Sequence, residues 1–232
     1  FEYEKYDFAY PSDRYTLFYD VTSIQSQFNC SGLFFDLKYD TRDDVYMARD
    51  GMLLTMDAHW RKDFTKDRYL EDGRNKNGFA DINLSASYHY SPDIGLPLTF
   101  SPKIYNRVVV GNLKPSVYQN VVGGYVPGRY MAHQVPFVGI TTPQMVESCL
   151  SVLRLDVQWN VKGNHYLTLM SNYMCSAENY SDFFAGPQAR ISRFGTGLQY
   201  AYKTALGPIS IDLHWSNIQR RLGLYFAFGY SF

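Results

Sequence analysis

Residues 80–90 read ADINLSASYHY, a stretch in which apolar and polar side chains alternate without a break. One set is apolar or aromatic: Ala80, Ile82, Leu84, Ala86, Tyr88 and Tyr90. The other set is polar: Asp81, Asn83, Ser85, Ser87 and His89. Successive side chains of a β-strand point to opposite faces of the sheet. The stretch therefore predicts a strand with one apolar face and one polar face.

The same two-residue rhythm recurs along the chain and predicts about ten strands. The stretches with a clear apolar face are 15–21, 33–39, 52–60, 80–90, 98–104, 153–159, 194–202, 209–215 and 224–232. Residues 165–174 are predicted to form a further strand, although the pattern does not separate its two faces. Residues 1–10 are aromatic and charged and are assigned to no element.

Strand length and loop length favour a membrane barrel over a soluble sandwich, which would also alternate. The predicted strands are longer than the roughly 5–6 residues usual in soluble sheets and near the about 9–11 residues that cross a bilayer. The predicted long connections are 22–31, 63–77, 111–148 and 175–192, and the short ones are 91–97, 162–164 and 205–208. Outer-membrane barrels alternate long and short connections in this way, and aromatic residues flank their apolar band. The predicted fold class is all-β, an antiparallel transmembrane β-barrel.

The bulk composition is compatible with one barrel domain over residues 1–232. The chain has 232 residues, a formal net charge of zero and 17% aromatic residues. A nucleic-acid-binding surface would need an excess of clustered Lys and Arg, so nucleic acid is not an expected partner. No apolar run approaches the 18 residues of a transmembrane helix.

One connection, 111–148, is too long to be an ordinary loop, since loops beyond about 12–15 residues are usually functional or disordered. Its glycines supply backbone freedom, while its apolar residues need a surface to cover them. We expect this loop to fold back into the barrel lumen. Counting back from the last strand places the C-terminus and the short turns on the periplasmic side, and this loop on the extracellular side.

Three pieces of the chain resemble one superfamily of outer-membrane barrels. Residues 37–60, LKYDTRDDVYMARDGMLLTMDAHW, resemble a strand–turn–strand motif of the BamA, TamA and two-partner-secretion superfamily. Residues 123–130, GGYVPGRY, are similar to its sixth extracellular loop, which inserts into the lumen. Residues 207–217 and 222–232, GPISIDLHWSN and LGLYFAFGYSF, resemble its last two strands. By this resemblance Tyr230 and Phe232 form the C-terminal signal that targets a barrel for assembly.

A closer likeness points to the C-terminal barrel of bacterial patatin-like phospholipases. It is carried by residues 123–140, GGYVPGRYMAHQVPFVGI, and by residues 155–169, LDVQWNVKGNHYLTL. The family barrel has sixteen strands and follows a periplasmic lipid hydrolase in the same polypeptide. The resemblance implies that the N-terminal strands and the hydrolase lie outside this chain; a complete ten-stranded barrel is the alternative.

The resemblance also implies a lock between the long loop and the wall. Its predicted residues are Gly123, Gly124, Gly128, Arg129, Tyr130 and Asp156. Arg129 would form a bidentate, charge-assisted pair with lumen-facing Asp156; the alternative is an exposed surface arginine that contributes little. The sequence departs from the family pattern, because it reads Gly-Arg-Tyr rather than Arg-Gly-aromatic. The next strand, 165–174, also lacks the second acidic residue.

The chain carries no motif for catalysis. A patatin hydrolase needs a serine in a G-x-S-x-G elbow, and this pattern occurs nowhere in the 232 residues. No cofactor is expected. The five histidines fall in no metal-binding spacing, so a polar lining of the lumen is the preferred interpretation and no metal site is predicted: His59, His89, His133, His165 and His214.

Cys30, Cys149 and Cys175 make an odd count, so at least one thiol is unpaired within the chain. Two alternatives stay open for the cysteines: isolated thiols, or a Cys149–Cys175 bridge between two neighbouring strands.

The predicted function is that of a Gram-negative outer-membrane barrel. It is expected to anchor a patatin-like phospholipase and to help place the enzyme or its lipid at the membrane. Outer-membrane lipids and the barrel-assembly machinery are the expected partners, and a homodimer is left open. An assembly or secretion channel and a passive porin are the alternatives.

Overall fold

The structure is a computed structural model. It describes residues 2–7, 27–63, 78–111, 119–124, 134–141 and 143–228. Within these ranges almost all of the regular structure is β, apart from a single 3₁₀ turn at Tyr180–Phe183. None of the helical structure in the described ranges is long and apolar enough to cross a membrane.

The described strands are named here in chain order. They are β1 (Glu2–Asp7), β2 (Gln27–Asp40), β3 (Gly51–Asp63), β4 (Gly78–His89), β5 (Leu98–Gly111), β6 (Asn120–Val122), β7 (Gln134–Val135), β8 (Gln144–Val146), β9 (Cys149–Lys162), β10 (His165–Ala177), β11 (Ile191–Thr204), β12 (Gly207–Ser216) and β13 (Gly223–Phe228). Most of the long strands have 12 to 14 residues, enough to cross a bilayer when tilted.

Ten of these strands form one antiparallel sheet in the order β1-β2-β3-β4-β5-β9-β10-β11-β12-β13. Each strand therefore pairs with its neighbour in sequence, apart from β5, which pairs with β9 across the long loop. The all-β, antiparallel fold class is confirmed. The predicted strand at 15–21 lies outside the described residues, and β1 was not anticipated. Every other predicted strand corresponds to one observed strand.

The predicted alternation holds on both faces of the sheet. Large apolar side chains on the outer face are solvent-exposed, including Tyr88, Trp159, Leu198, Tyr200, Leu213, Phe226 and Phe228. Phe226 and Phe228 are 66% and 62% exposed, which excludes a dry core between two sheets at this position. The inner face instead carries polar side chains that the protein itself covers: Arg61, Asp81, Thr99, Ser101, Arg107, Asp156, Thr168, Asn172, Ser210, Asp212, His214 and Ser216.

The register resolves the strand whose faces the sequence did not separate. In β10 the buried inner side chains are Tyr166, Thr168, Met170, Asn172, Met174 and Ser176, and the exposed residues Leu169 and Tyr173 lie on the outer face. Three inner positions are thus apolar, which explains why simple alternation was not visible. Those apolar side chains face protein inside the barrel rather than water.

The two ends of the sheet differ in their connections. At one end, here called the turn end, the connections are 41–50, 90–97, 163–164 and 205–206. The opposite end, the loop end, is where β5 ends and β9 begins.

Several predicted boundaries were wrong: β2 begins at Gln27, β10 continues to Ala177 and β12 begins at Gly207. The 22–31, 175–192 and 205–208 connections are correspondingly shorter, because strand pairing extends beyond the visible alternation.

The alternative of a Cys149–Cys175 bridge is wrong. Neither cysteine forms a disulfide, and the register pairs Cys149 with Ala177 and Cys175 with Ser151. The two cysteines are therefore offset by two residues on adjacent strands, where diagonal neighbours lie about 7–8 Å apart. Such a spacing does not allow a bridge without backbone movement.

Candidate functional site in the barrel interior

The described parts of the long loop lie in the lumen, as predicted, and form a second, small sheet. Its strand order is β7-β6-β8, with β6 parallel to β7 and antiparallel to β8. We call the described loop residues 119–124, 134–141 and 143–148 the plug. Four of its apolar side chains have no exposed surface: Val122, Phe137, Val138 and Ile140. Val122, Phe137 and Ile140 pack with Leu150, Val152 and Met174 of the wall in one apolar cluster.

Gly123 and Gly124 of the predicted loop lock shape the plug. Their φ angles are +138° and +71°, a backbone region that disfavours side chains. The Gly123 N–H donates to the Val135 carbonyl at 2.9 Å, and the Gly124 N–H donates to the Ile140 carbonyl at 2.6 Å. The two glycines therefore fold the plug onto itself.

The wall is shaped to receive residues 137–139 of the plug. A Cβ added to Gly195 would collide with the Val138 carbonyl oxygen, and one on Gly197 would lie 2.9 Å from Val138 Cγ1. These inward-facing glycines of β11 leave a track in which the plug backbone lies against the sheet. The Ser216 hydroxyl at the end of β12 donates to the Gly139 carbonyl at 2.7 Å.

Asn172 of β10 binds the plug backbone with both ends of its amide. Its Oδ1 accepts a hydrogen bond from the Val138 N–H at 2.7 Å, and its Nδ2 lies 3.3 Å from the Val138 carbonyl oxygen. Nδ2 also donates to the Gly195 carbonyl at 3.3 Å. Sequence reasoning did not identify Asn172, Gly195 or Gly197. The visible signal was a pair of alternating glycines on the inner face of β11.

Charged residues of the wall hold the other side of the plug. Arg107 of β5 is 1% exposed and donates to Asn120 Oδ1 of β6 at 2.6 Å. Asn120 in turn donates to the Glu147 carbonyl at 2.8 Å, which ties β6 to the end of the loop. The Arg107 charge is balanced by Asp81 at 3.3 Å, and Asp81 also pairs with Arg61. The plug is thus linked to three neighbouring strands through one buried charge network.

Asp156, the predicted wall partner of the loop lock, lies buried on the inner face. Its Oδ2 accepts from Lys103 Nζ at 2.8 Å and its Oδ1 accepts from Arg154 Nε at 2.7 Å. The remaining predicted lock residues lie outside the described residues: Gly128, Arg129 and Tyr130. The Arg129–Asp156 pair therefore stays a prediction. The targeting residues Tyr230 and Phe232 also lie outside the described residues.

A second segment reaches into the lumen from the turn end. We call residues 41–50, between β2 and β3, the cap. Met47 and Ala48 of the cap are 7% and 4% exposed. Met47 and Tyr46 pack against Tyr166 of β10 and Ala201 of β11, on the far side of the sheet. The contact crosses the lumen and shows that the sheet curls on itself.

An ion pair joins the cap to the same wall. The Lys203 ammonium of β11 donates to the Asp44 carboxylate. Burial by itself would raise the pKa of Asp44, but the Lys203 hydrogen bond and the backbone N–H groups of Met47 and Tyr46 outweigh burial and lower that pKa. Asp44 is therefore held in its charged form, which keeps the attraction to Lys203.

One cluster of inner side chains has the ligand types for a metal ion. Ligand atoms of Asp57, His59 and Asp81 lie within 4.8 Å of one another. However, Asn83 Nδ2 donates to Asp57 at 2.7 Å, and the two arginines of the buried network neutralise Asp81. The carboxylates thus already have partners. The interior combines a docked loop, paired buried charges and a capped end, and this arrangement can close and brace a barrel.

Comparison with known proteins agrees with the sequence resemblance at the superfamily level. No curated protein matches the sequence. The profile of the OMP85 superfamily matches residues 16–232, almost the whole chain. The antiparallel sheet, its apolar outer face and the lumen-inserted loop are those of an outer-membrane β-barrel. The chain therefore belongs to the OMP85 superfamily of outer-membrane barrel proteins.

Proposed function

We propose that this barrel anchors a patatin-like phospholipase, encoded upstream in the same polypeptide, in the bacterial outer membrane. The observation that carries the proposal is the likeness of residues 123–140 and 155–169 to the barrels of such enzymes. The first of these stretches supplies Gly123, Gly124 and the backbone at Val138, which shape and dock the plug. The barrel supplies the anchor and the hydrolase supplies the chemistry.

In this proposal the turn end and the C-terminus face the periplasm, and the loop end faces the outside of the cell. Short turns lie on the periplasmic side of outer-membrane barrels. The hydrolase would then lie beside the turn end, close to the lipid of the inner leaflet. The barrel-assembly machinery inserts the chain, and the surrounding lipids contact its outer face.

The sheet also has to be closed in a membrane, because unpaired backbone groups are costly in lipid. The outermost strands β1 and β13 each have one neighbour within the described residues. We propose that upstream strands complete a sixteen-stranded barrel, as the resemblance implies. Closure of these ten strands alone is the alternative.

The filled lumen argues against a passive porin. A porin needs a continuous water path, whereas the plug and the cap place buried side chains inside this barrel. A barrel that anchors a phospholipase does not need an open pore, so a closed lumen is compatible with this role.

Phospholipid hydrolysis by two purified proteins tests the proposal. The full-length polypeptide in lipid vesicles should hydrolyse a fluorogenic phospholipid, and the 232-residue chain in the same vesicles should not. The barrel chain is the matched control, since it has the same membrane surface and lacks a G-x-S-x-G elbow. Equal turnover by both proteins, or none by the full-length polypeptide, would contradict the proposal.

Membership of the OMP85 superfamily favours one alternative, a barrel that assembles or secretes other proteins. Small repeated periplasmic domains upstream would support it, and a hydrolase domain would not. Depletion of the protein separates the two functions. Loss of other outer-membrane proteins, with phospholipid turnover unchanged, would favour the assembly or secretion channel.

A further inference from the structure

The cap, residues 41–50, is ordered by its own side chains. Asp43 Oδ1 accepts backbone hydrogen bonds from Arg49 at 2.8 Å and from Asp50 at 3.2 Å. Asp44 Oδ1 accepts from the backbone of Tyr46 and Met47, both at 2.9 Å. These bonds fix the shape of the cap without any contribution from the opposite wall. The cap is therefore held together as one unit.

The base of the cap is joined to the strands from which it extends. The Thr41 N–H donates to the Met52 carbonyl at 2.9 Å, and the Met52 N–H donates to the Thr41 hydroxyl at 3.0 Å. The Ser91 hydroxyl, on the neighbouring turn, donates to the Arg49 carbonyl at 2.8 Å. All of these contacts lie on one side of the lumen.

The far side of the cap has a different kind of contact. Met47 and Tyr46 are seated on Tyr166 and Ala201, and Asp44 binds Lys203 through side chains alone. Four strands, β4, β5, β9 and β10, separate β3 from β11 in the sheet. The side chains of Asp44 and Lys203 are 25% and 39% exposed, so water can replace this ion pair at little cost.

We propose that the cap is a hinged cover of the turn end of the lumen, with the Asp44–Lys203 ion pair as its latch. The hinge lies at Thr41 and Met52, and the seat is the apolar surface of Tyr166 and Ala201. When the latch opens, the cover moves as a unit and exposes the inner wall of β10 and β11. This proposal does not depend on the identity of any upstream domain.

Thiol labelling under the cap tests the proposal in the full-length protein. All native cysteines, including Cys30, Cys149 and Cys175, are first replaced by Ser, and Ala201→Cys is introduced as a reporter in the seat, beneath the cap. The measured quantity is the rate at which a bulky, membrane-impermeant maleimide labels the protein in detergent micelles. Ser210→Cys serves as a second reporter, because Ser210 pairs with Ala201 and faces inward on β12.

Opening the latch should raise the labelling rate. We expect Asp44→Asn and Lys203→Gln each to raise it about threefold to fivefold, the effect of one partly exposed ion pair. Met47→Ala should raise the labelling rate at least about tenfold, because the contact of Met47 with the apolar seat is lost. Lys203→Arg, which keeps the positive charge opposite Asp44, should retain the slow rate. Asp50→Asn is the matched control on the same segment, and its rate should stay unchanged.

Two results would overturn the proposal. One is that Ala201→Cys, with the cap otherwise unaltered, is labelled as fast as Asp50→Cys, a reporter at an exposed position of the cap. The other is that Asp44→Asn, Lys203→Gln and Met47→Ala all leave the rate at both reporters unchanged. Heat-modified migration of every variant on gels checks that the barrel has folded, so misfolding cannot be mistaken for an open cap.

Discussion

The plug and the cap both fill the lumen, but they are held there by different means. The plug is held through its backbone, by Asn172 at Val138 and by the glycine track of β11. Four of its apolar side chains, Val122, Phe137, Val138 and Ile140, are fully buried. Within the described residues, the cap contacts the far wall through side chains, at a small apolar seat and at one partly exposed ion pair.

This difference separates a permanent part of the barrel from a releasable one. Removing a plug contact leaves buried polar groups or charges without partners, which is costly. Removing a cap contact exposes groups that water can solvate, which costs little. We therefore expect the plug to contribute to the stability of the barrel and the cap to control access to its turn end.

The largest expected effect is at Arg107, which holds the plug through Asn120. Arg107→Met should lower the free energy of unfolding by about 3 kcal/mol, the lower end of the range for breaking a buried ion pair, since Arg61 still balances Asp81. Guanidinium unfolding in lipid vesicles measures the change. Arg49→Met, on the exposed part of the cap, is the matched control and should leave the stability unaltered. If the two variants had equal free energies of unfolding, the proposed difference between the plug and the cap in their contribution to stability would be wrong.

A smaller effect is expected at Asn172. Asn172→Ala leaves the buried N–H of Val138 without an acceptor and should cost about 1–3 kcal/mol. It should also speed proteolytic cleavage within the loop 111–148, which reports plug release directly. Asn160→Ala is the control, because Asn160 donates to the Gly163 carbonyl at an exposed turn. Protease resistance equal to that of the unaltered protein would mean that the plug is held elsewhere.

The smallest effect is the pH dependence of the cap. The Asp44 carboxyl, although burial opposes its charge, has a lowered pKa in the folded protein because Lys203 and two backbone N–H groups bind it. Its contribution to stability is therefore complete above the unfolded pKa of about 3.9 and is lost as the pH falls through the lower folded value. Unfolding curves of the unaltered protein and Asp44→Asn should differ by under about 1 kcal/mol at pH 7 and converge in acid. A difference that grows in acid would contradict the assigned role of Lys203.

The sequence predicted the outer surface of the barrel better than its inner surface. Alternation located most strands because lipid-facing positions are almost uniformly apolar, as in β4 and β12. It failed to separate the faces of β10, where Met170 and Met174 face inward and contact protein. Strand ends were also misplaced, since backbone pairing continues where the side-chain pattern stops.

Part of the site could be predicted and part could not. The composition of loop 111–148 was enough to predict that it folds inward, and the family resemblance identified Gly123 and Gly124. Asn172 and Gly195 were missed because nothing in their own strands distinguishes them. The cap lies within a stretch that resembles a family motif, but the sequence did not predict that it reaches into the lumen.

The sequence by itself determined where most of the strands lie, which face of most of them meets lipid, and which loop has too much apolar surface to stay in water. These properties are local, because they follow from the two-residue period of a strand and from the composition of one loop. The tertiary structure alone decided that Asp44 meets Lys203, 159 positions away, and that Asn172 meets Val138. Such pairs depend on the order, register and curl of the whole sheet, which bring distant positions together across one lumen.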